Sequence, residues 1–264
     1  MIVGNLATYP PRRDGLIKAV RSIAAQVDRL NVVLNEYEST LPELAEHENV
    51  NQIIPVEDTK DVGKFYPDTS DAKYVLLLDD DIDFPPDYVA RTVACFESFG
   101  ERRVIAGYHG STYTRPVFGK RSDRRKFKRK RLGILTSLIE YFAEIRAYKS
   151  RRADFRDVSV FYEAQANSIV VDQIATNAAI LNAKDVPPYE YMADSQKFVD
   201  VRLARWAFER GITAVTLPRE ENWLRPLRYE ETIFRGFTEK NLAHVNAEIE
   251  IFAGRVPNAG QVLK

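Results

Sequence analysis

The sequence predicts an α/β fold, a mainly parallel central sheet flanked by helices. Three observations predict it. Short apolar runs alternate with segments of helical period through the N-terminal part of the chain. Strands separated by helices argue for a parallel sheet covered on both faces. One run, YVLLLDDDIDFPPDYV over residues 74–89, passes from apolar residues straight into Asp79, Asp80 and Asp81. In an open α/β sheet, ligands gather beyond the carboxyl ends of the strands, so that is where such a change of character is expected.

The elements follow in order. MIVGNLAT reads as the first strand; Leu16, Val20, Ile23 and Val27 then recur at helical spacing, with Asp14 placed as an N-cap. LNVVLNEY (30–37), VNQIIPVE (50–57) and KYVLLLDD (73–80) read as further strands. Pro85 and Pro86 open a helix carrying Val89, Val93 and Phe96, which Gly100 ends, and RVIAGYHG (103–110) is a fifth strand. Between about 111 and 165 the pattern breaks. KRSDRRKFKRKR (120–131) holds nine basic residues and one acid, and in the segment after it Leu135, Leu138, Ile139, Phe142 and Ile145 share a helical face. Regular structure resumes with SIVVDQIATNAAIL (168–181), a helix near 197–210, the strand ITAVTLPR (212–219) and a helical tail over 229–254. The 264 residues are read as one domain: an N-terminal half (1–110), a basic and amphipathic insertion (111–165), a second half (166–228) and a helical tail (229–264).

Composition excludes several classes. Hydrophobic content of 45% and charged content of 29% are those of a globular protein, and the formal net charge is zero, so the total gives no reason to expect a nucleic-acid partner. The single cysteine, Cys95, permits no disulfide within the chain and reads as a small buried hydrophobe, which fits a reducing compartment. The N-terminal apolar run is too short for a signal peptide, and no stretch approaches a membrane span, so the chain is read as cytoplasmic.

Three adjacent carboxylates repel one another, and nothing basic sits within the run. A divalent cation would neutralise them. Mg²⁺ and Mn²⁺ prefer hard oxygen ligands, often one or two carboxylates together with substrate phosphates. An acidic turn capping the following helix is the alternative; it explains one aspartate better than three.

At these residues the chain resembles the nucleotide-sugar glycosyltransferases of the GT-A, Rossmann-like fold, in the large family-2-like inverting group. Four pieces carry the resemblance: ATYPPRRDGLIKAVRSIAAQ near the N-terminus, DVGKFYP (61–67), the DxD element Asp79-Asp80-Asp81, and FVDVRLARWAFERGI (198–212). The last matches the helix of the catalytic base. Asp200 and Gly211 keep the family's spacing of eleven residues, while Val199 stands where the family has Glu.

The resemblance implies roles, with 1–110 as the nucleotide-sugar-binding half and 166–228 as the acceptor or catalytic half. Thr8, Tyr9 and Pro10 would hold the nucleotide, Asp61 the base or ribose, and Lys64 would face the diphosphate. Asp79 and Asp80 would lie with the donor, Asp79 near ribose or metal, and Asp81 would hold Mn²⁺ or Mg²⁺, which offsets charge on the departing nucleoside diphosphate. Asp200 would be the general base, with Asp194 in reserve, and Thr176 and Asn177 would line the acceptor site. Plain strand–helix turns and helix-terminal charges are the structural alternatives at these positions. Trp223 is read either as a stacking surface for an acceptor sugar or as core. His109, at a strand end, and His244, in the tail where some relatives supply a metal ligand, are read mainly as packed or solvated side chains, and His47 as surface.

The basic run has three readings: a solvated face, association of residues 120–146 with an anionic membrane, and nucleic-acid binding. The neutral total and the absence of a reading module argue against the last. The functional expectation is metal-dependent, inverting transfer of a sugar from a nucleotide-sugar donor to a glycan or lipid-linked acceptor, in bacterial surface polysaccharide synthesis, at the inner membrane face. A sugar-nucleotide-binding protein without catalysis is the alternative. A nucleotidyltransferase ranks below both, because YPPRR lacks the glycines of a phosphate loop.

Overall fold

β1 (Ile2–Thr8) leads into a 3-10 turn, Pro10–Arg12, and α1 (Arg13–Ile23). The two prolines set that turn, so Arg12 rather than Asp14 is the N-cap of α1. Asp14 falls in the first turn, where its charge still favours the helix dipole. α1 buries Leu16, Ala19, Val20 and Ile23 along one stripe. The computed structural model describes residues 1–113, 156–227 and 243–263. The basic run 120–131, the amphipathic segment after it and the first part of the expected helical tail lie outside the described residues.

β2 (Arg29–Leu34), β3 (Val50–Ile53) and β4 (Tyr74–Leu78) follow, linked by 3-10 turns at Pro42–Leu44 and Lys60–Phe65 rather than by the full helices that strict alternation would give. The aspartates then pass into β5 (Ile82–Asp83), α2 (Tyr88–Glu97), β6 (Val104–Gly107) and β7 (Gly110–Tyr113). β8 (Arg156–Ser159) pairs antiparallel with β7, so the ends of the expected insertion are two arms of one small sheet. The stretch 168–181, which reads as one apolar run, is divided among β9 (Ile169–Val171), β10 (Gln173–Ile174) and β11 (Ala178–Asn182). α3 (Tyr189–Met192), α4 (Val199–Glu209), β12 (Thr213–Thr216), β13 (Arg225–Pro226) and α5 (Ala243–Phe252) complete the described chain.

Among the described residues the main sheet has eight strands, in the order β3-β2-β1-β4-β11-β6-β12-β9. β3, β2, β1 and β4 are mutually parallel, as are β6 and β12, whereas β11 runs antiparallel to both β4 and β6, and β9 antiparallel to β12. Six of the eight strands therefore run in one direction, the mainly parallel sheet that was expected, with β11 and β9 set against the grain.

Alternate residues of β4 show why it reads as continuously apolar. Leu76 and Leu78 pack on one face with Leu16 and Val20 of α1 and Tyr88 of α2, while Val75 and Leu77 pack on the other with Leu203 and Trp206 of α4. Every position of the strand is buried, so a period of two has no polar partner to show it. Among the described residues, no helix is long and apolar enough to cross a membrane.

Candidate active site

The carboxyl ends of β1 and β4 lie side by side, with Leu6 opposite Leu78. This places the Tyr9–Arg12 turn next to the aspartates. Asp80 points inward. It is 8% exposed, its Oδ2 accepts the Thr8 hydroxyl at 2.6 Å, and Arg12 lies 3.5 Å from its Oδ1. Burial pushes its carboxyl up to about 7, against the pull of Thr8 and Arg12. Asp81 accepts from Arg12 Nη1 at 3.2 Å, and its side chain keeps 35% exposure. Burial and then the charge of Asp79 raise its pKa above the ordinary carboxylate range.

Asp79, about a third exposed, ion-pairs with Lys64. Lys64 sits on the Lys60–Phe65 turn and is almost fully buried. That turn is pinned to the sheet by Asn5, whose amide donates to the Lys64 carbonyl at 2.8 Å, and by Asn35, which donates to Lys60 and accepts from Thr59. Gly63 is required there, since a Cβ would lie 2.5 Å from Thr59 Oγ1 and 3.1 Å from Ala7 and Val33. Burial alone would drive the Lys64 ammonium toward its neutral form; Asp79, then Asp200 and Asp61, hold it charged and raise its pKa.

Lys64 Nζ also donates to the Thr176 carbonyl at 3.1 Å. The Thr176 amide and hydroxyl both donate to Asp200 Oδ1, each at 2.8 Å. Asp200 stands in the first turn of α4, and burial raises its pKa. Asp79, Lys64, Thr176 and Asp200 thus form one connected chain of contacts. The Asp79 amide donates to the Asn177 carbonyl at 3.0 Å, and Asn177 Oδ1 is buried without a hydrogen-bond partner in the protein. Asp61 accepts the Lys197 amide at 2.9 and 3.0 Å, which supports the left-handed φ of 73° at Lys197 just before α4; burial raises its pKa too.

Other expected residues lie elsewhere. Asp194 is largely exposed and bound to Arg202, which lowers its pKa. Trp223 packs on Tyr88 and Tyr108, donates its indole N–H to Asp87 at 3.1 Å and lies under the Arg91 guanidinium. His244 stacks edge-on against Phe198, immediately before α4, and His109 lies near Phe161. Val199, where the resemblance has Glu, is buried in the core beside Leu203 and Met192. Sequence reasoning missed Arg12. The signal was present in YPPRR: an arginine fixed by two prolines at the end of the first strand, opposite the aspartates.

Among the described residues, no group of three or more His, Cys, Asp and Glu side chains is arranged to hold a metal by itself. The donor set does fit Mg²⁺ or Mn²⁺ shared with phosphate. Asp79 and Asp81 offer two partly exposed carboxylates, and Asn177, whose backbone carbonyl accepts the Asp79 amide, carries a hard neutral oxygen on its side chain.

No known family model matches the sequence, and no curated protein does. Solved structures do resemble it. A mycobacterial protein superposes with a TM-score of 0.50 and 14% identity, over 94% of this chain and 73% of the other. Glucosyl-3-phosphoglycerate synthase from Mycobacterium tuberculosis, in complex with Mn²⁺, UDP-glucose and phosphoglyceric acid, gives a TM-score of 0.50 and 13% identity over 95% and 80% of the two chains. The same enzyme with phosphoglyceric acid gives 0.50 and 12% over 96% and 80%. At these identities the likeness concerns the fold. The eight-stranded, mostly parallel sheet flanked by helices is the GT-A fold that the sequence resemblance implied.

Proposed function

We propose that the protein is a metal-dependent, inverting glycosyltransferase that moves a sugar from a nucleotide-sugar donor to an acceptor hydroxyl. The observation that carries this reading is the connected chain Asp79–Lys64–Thr176–Asp200, which sets a candidate base within one network of the carboxylates at the end of β4. The complex of the fold neighbour with Mn²⁺ and UDP-glucose supports the donor class.

In this reading Thr8, Tyr9, Pro10 and Asp61 frame the nucleotide, and Asp79 and Asp81, with Asp80 behind them, hold Mn²⁺ or Mg²⁺ together with the diphosphate. The ion supplies Lewis-acid stabilisation of the leaving diphosphate. Lys64 keeps Asp79 oriented. Asp200 takes the proton from the acceptor hydroxyl as that oxygen attacks the anomeric carbon opposite the leaving group, which inverts the configuration. Thr176 fixes Oδ1 of Asp200, so the proton goes to Oδ2. Burial, by raising the pKa of Asp200, makes it a stronger base than an exposed aspartate. Thr176 and Asn177 border the acceptor.

The acceptor class we infer is a glycan or lipid-linked glycan of a bacterial surface polysaccharide, with the basic run 120–131 meeting an anionic membrane. A second reading, sugar-nucleotide binding without catalysis, is favoured by one observation, the apolar burial of Val199 at the family's Glu position. Thermal stabilisation by a panel of UDP-, GDP- and dTDP-sugars with Mn²⁺ tests the donor class. Mn²⁺-stimulated hydrolysis of the stabilising sugar nucleotide separates enzyme from binder; stabilisation without turnover would leave the binder.

A further inference from the structure

Among the described residues Arg12 is the cation that pairs with Asp81, and no site role follows for it from the sequence. It is 7% exposed, lies between Asp80 Oδ1 at 3.5 Å and Asp81 Oδ2 at 3.2 Å, and stands in the turn where β1 ends. Asp81 is also the residue assigned to the divalent ion. The two demands fall on one carboxylate: an ion bound to Asp81 both competes for its oxygens and repels the guanidinium beside it. A diphosphate approaching alone meets the opposite problem, since the partly exposed Asp79 and Asp81 confront it with negative charge. Bound together, each ligand relieves the other. The ion loosens Arg12 from Asp81, and the loosened guanidinium, whose planar fork suits phosphate oxygens, meets the diphosphate.

We propose that Arg12 couples metal binding to nucleotide binding, competing with the divalent ion for Asp81 and serving as a ligand of the donor's diphosphate. This rests on the donor and metal reading given above. It deepens that reading by naming the residue through which the two ligands cooperate.

The test is a binding linkage, read without turnover. Mn²⁺ is titrated into wild type and Arg12→Gln with and without UDP, by electron paramagnetic resonance of free Mn²⁺ and by calorimetry. Wild type is expected to bind UDP at least about tenfold more tightly with saturating Mn²⁺ than without it. Arg12→Gln is expected to bind Mn²⁺ alone more tightly than wild type, because a competitor is gone. It is expected to bind UDP at saturating Mn²⁺ about tenfold more weakly, with uridine affinity unchanged. A merely structural role for Arg12 would weaken both ligands, so the opposite signs are diagnostic. Unchanged or weakened Mn²⁺ affinity in Arg12→Gln overturns the proposal while leaving the donor reading intact; wild type that binds neither UDP, GDP nor dTDP with Mn²⁺ overturns both. Should Arg12→Gln not fold, the Nε–H signal of Arg12 in ¹⁵N-labelled wild type, assigned through Arg12→Lys, decides. It must shift on adding Mg²⁺ and UDP together and stay in place with uridine; an Arg12 signal indifferent to Mg²⁺ and UDP refutes the coupling.

Discussion

Thr176 holds Asp200 by two bonds to a single oxygen: its amide and its hydroxyl both donate to Asp200 Oδ1 at 2.8 Å. Two donors on one oxygen fix the carboxylate plane. They also link the start of β11, against which β4 packs, to the first turn of α4. Lys64 joins the same point from the other side through the Thr176 carbonyl at 3.1 Å. A base built this way has its direction set by backbone as well as by side chain, which is what proton abstraction at a defined atom requires.

Asp200→Asn keeps the size of the side chain but cannot accept the proton. Transfer is expected to fall at least roughly a hundredfold, with donor affinity little changed. The base acts when ionised, so activity is lost as pH falls through the Asp200 pKa. Burial raises that pKa, so the acidic limb of the pH–rate profile should lie above the ordinary carboxylate range and vanish in Asp200→Asn. Asp194→Asn, at an exposed carboxylate already bound to Arg202, should cost less than about fivefold. Steady-state kinetics of the two variants side by side checks both statements; an essential Asp194 would place the base ahead of α4 rather than on it.

The metal prediction turns on Asp81. Asp81→Ala removes a partly exposed side chain at the end of the sheet, so the fold should survive while Mn²⁺-dependent binding of the sugar nucleotide is lost. Circular dichroism melting and calorimetry on the same sample check it. Donor and metal affinities equal to wild type would show that the aspartate cluster has another purpose.

The scaffold was readable where side chains repeat a pattern. YVLLL could only be a buried strand, and the aspartates after it marked the end that faces ligand. What the pattern could not show was charge brought in from a distance. Arg12 and Lys64 reach Asp79, Asp80 and Asp81 across 69 and 15 residues of chain, so a run with no basic neighbour in sequence has two in space. The same limit applied to Asp61 and Thr176. Each lay in a recognisable piece, but that Asp61 grips the Lys197 amide and Thr176 grips Asp200 depends on how α4 meets the sheet. Trp223 reads from sequence equally as a sugar platform or as core, because its aromatic neighbours, Tyr88 and Tyr108, come from separate elements.

The basic run offers a prediction from sequence alone, because it lies outside the described residues. Replacing the basic residues of 124–131 with neutral ones should weaken binding to anionic liposomes, most clearly at low ionic strength, where each charge near the surface contributes about 1 kcal/mol. Co-sedimentation with phosphatidylglycerol vesicles over a salt series reads it directly. Wild type that ignores such vesicles at low salt removes the membrane from the proposed function.

The last prediction concerns α5, the helix that carries His244 against Phe198. Arg202 of α4 donates from Nε and Nη2 to both oxygens of Glu248 on α5, at 2.7 to 3.2 Å, and both residues are 8% exposed. Around them Phe198, Val201 and Ala204 pack against Val245 and Phe252. Glu248→Gln leaves the guanidinium with Asp194 as its remaining carboxylate, which should destabilise the protein by about 2 kcal/mol. The double variant Arg202→Met with Glu248→Leu replaces the pair by apolar side chains that suit the same cluster. It should recover most of that loss, because the desolvation cost of the two charges disappears with them. Urea unfolding of wild type, Arg202→Met alone, Glu248→Leu alone and the double variant closes the cycle. If the double variant is as unstable as the sum of the singles, the pair is not coupled and α5 is held by Val245 and Phe252 alone.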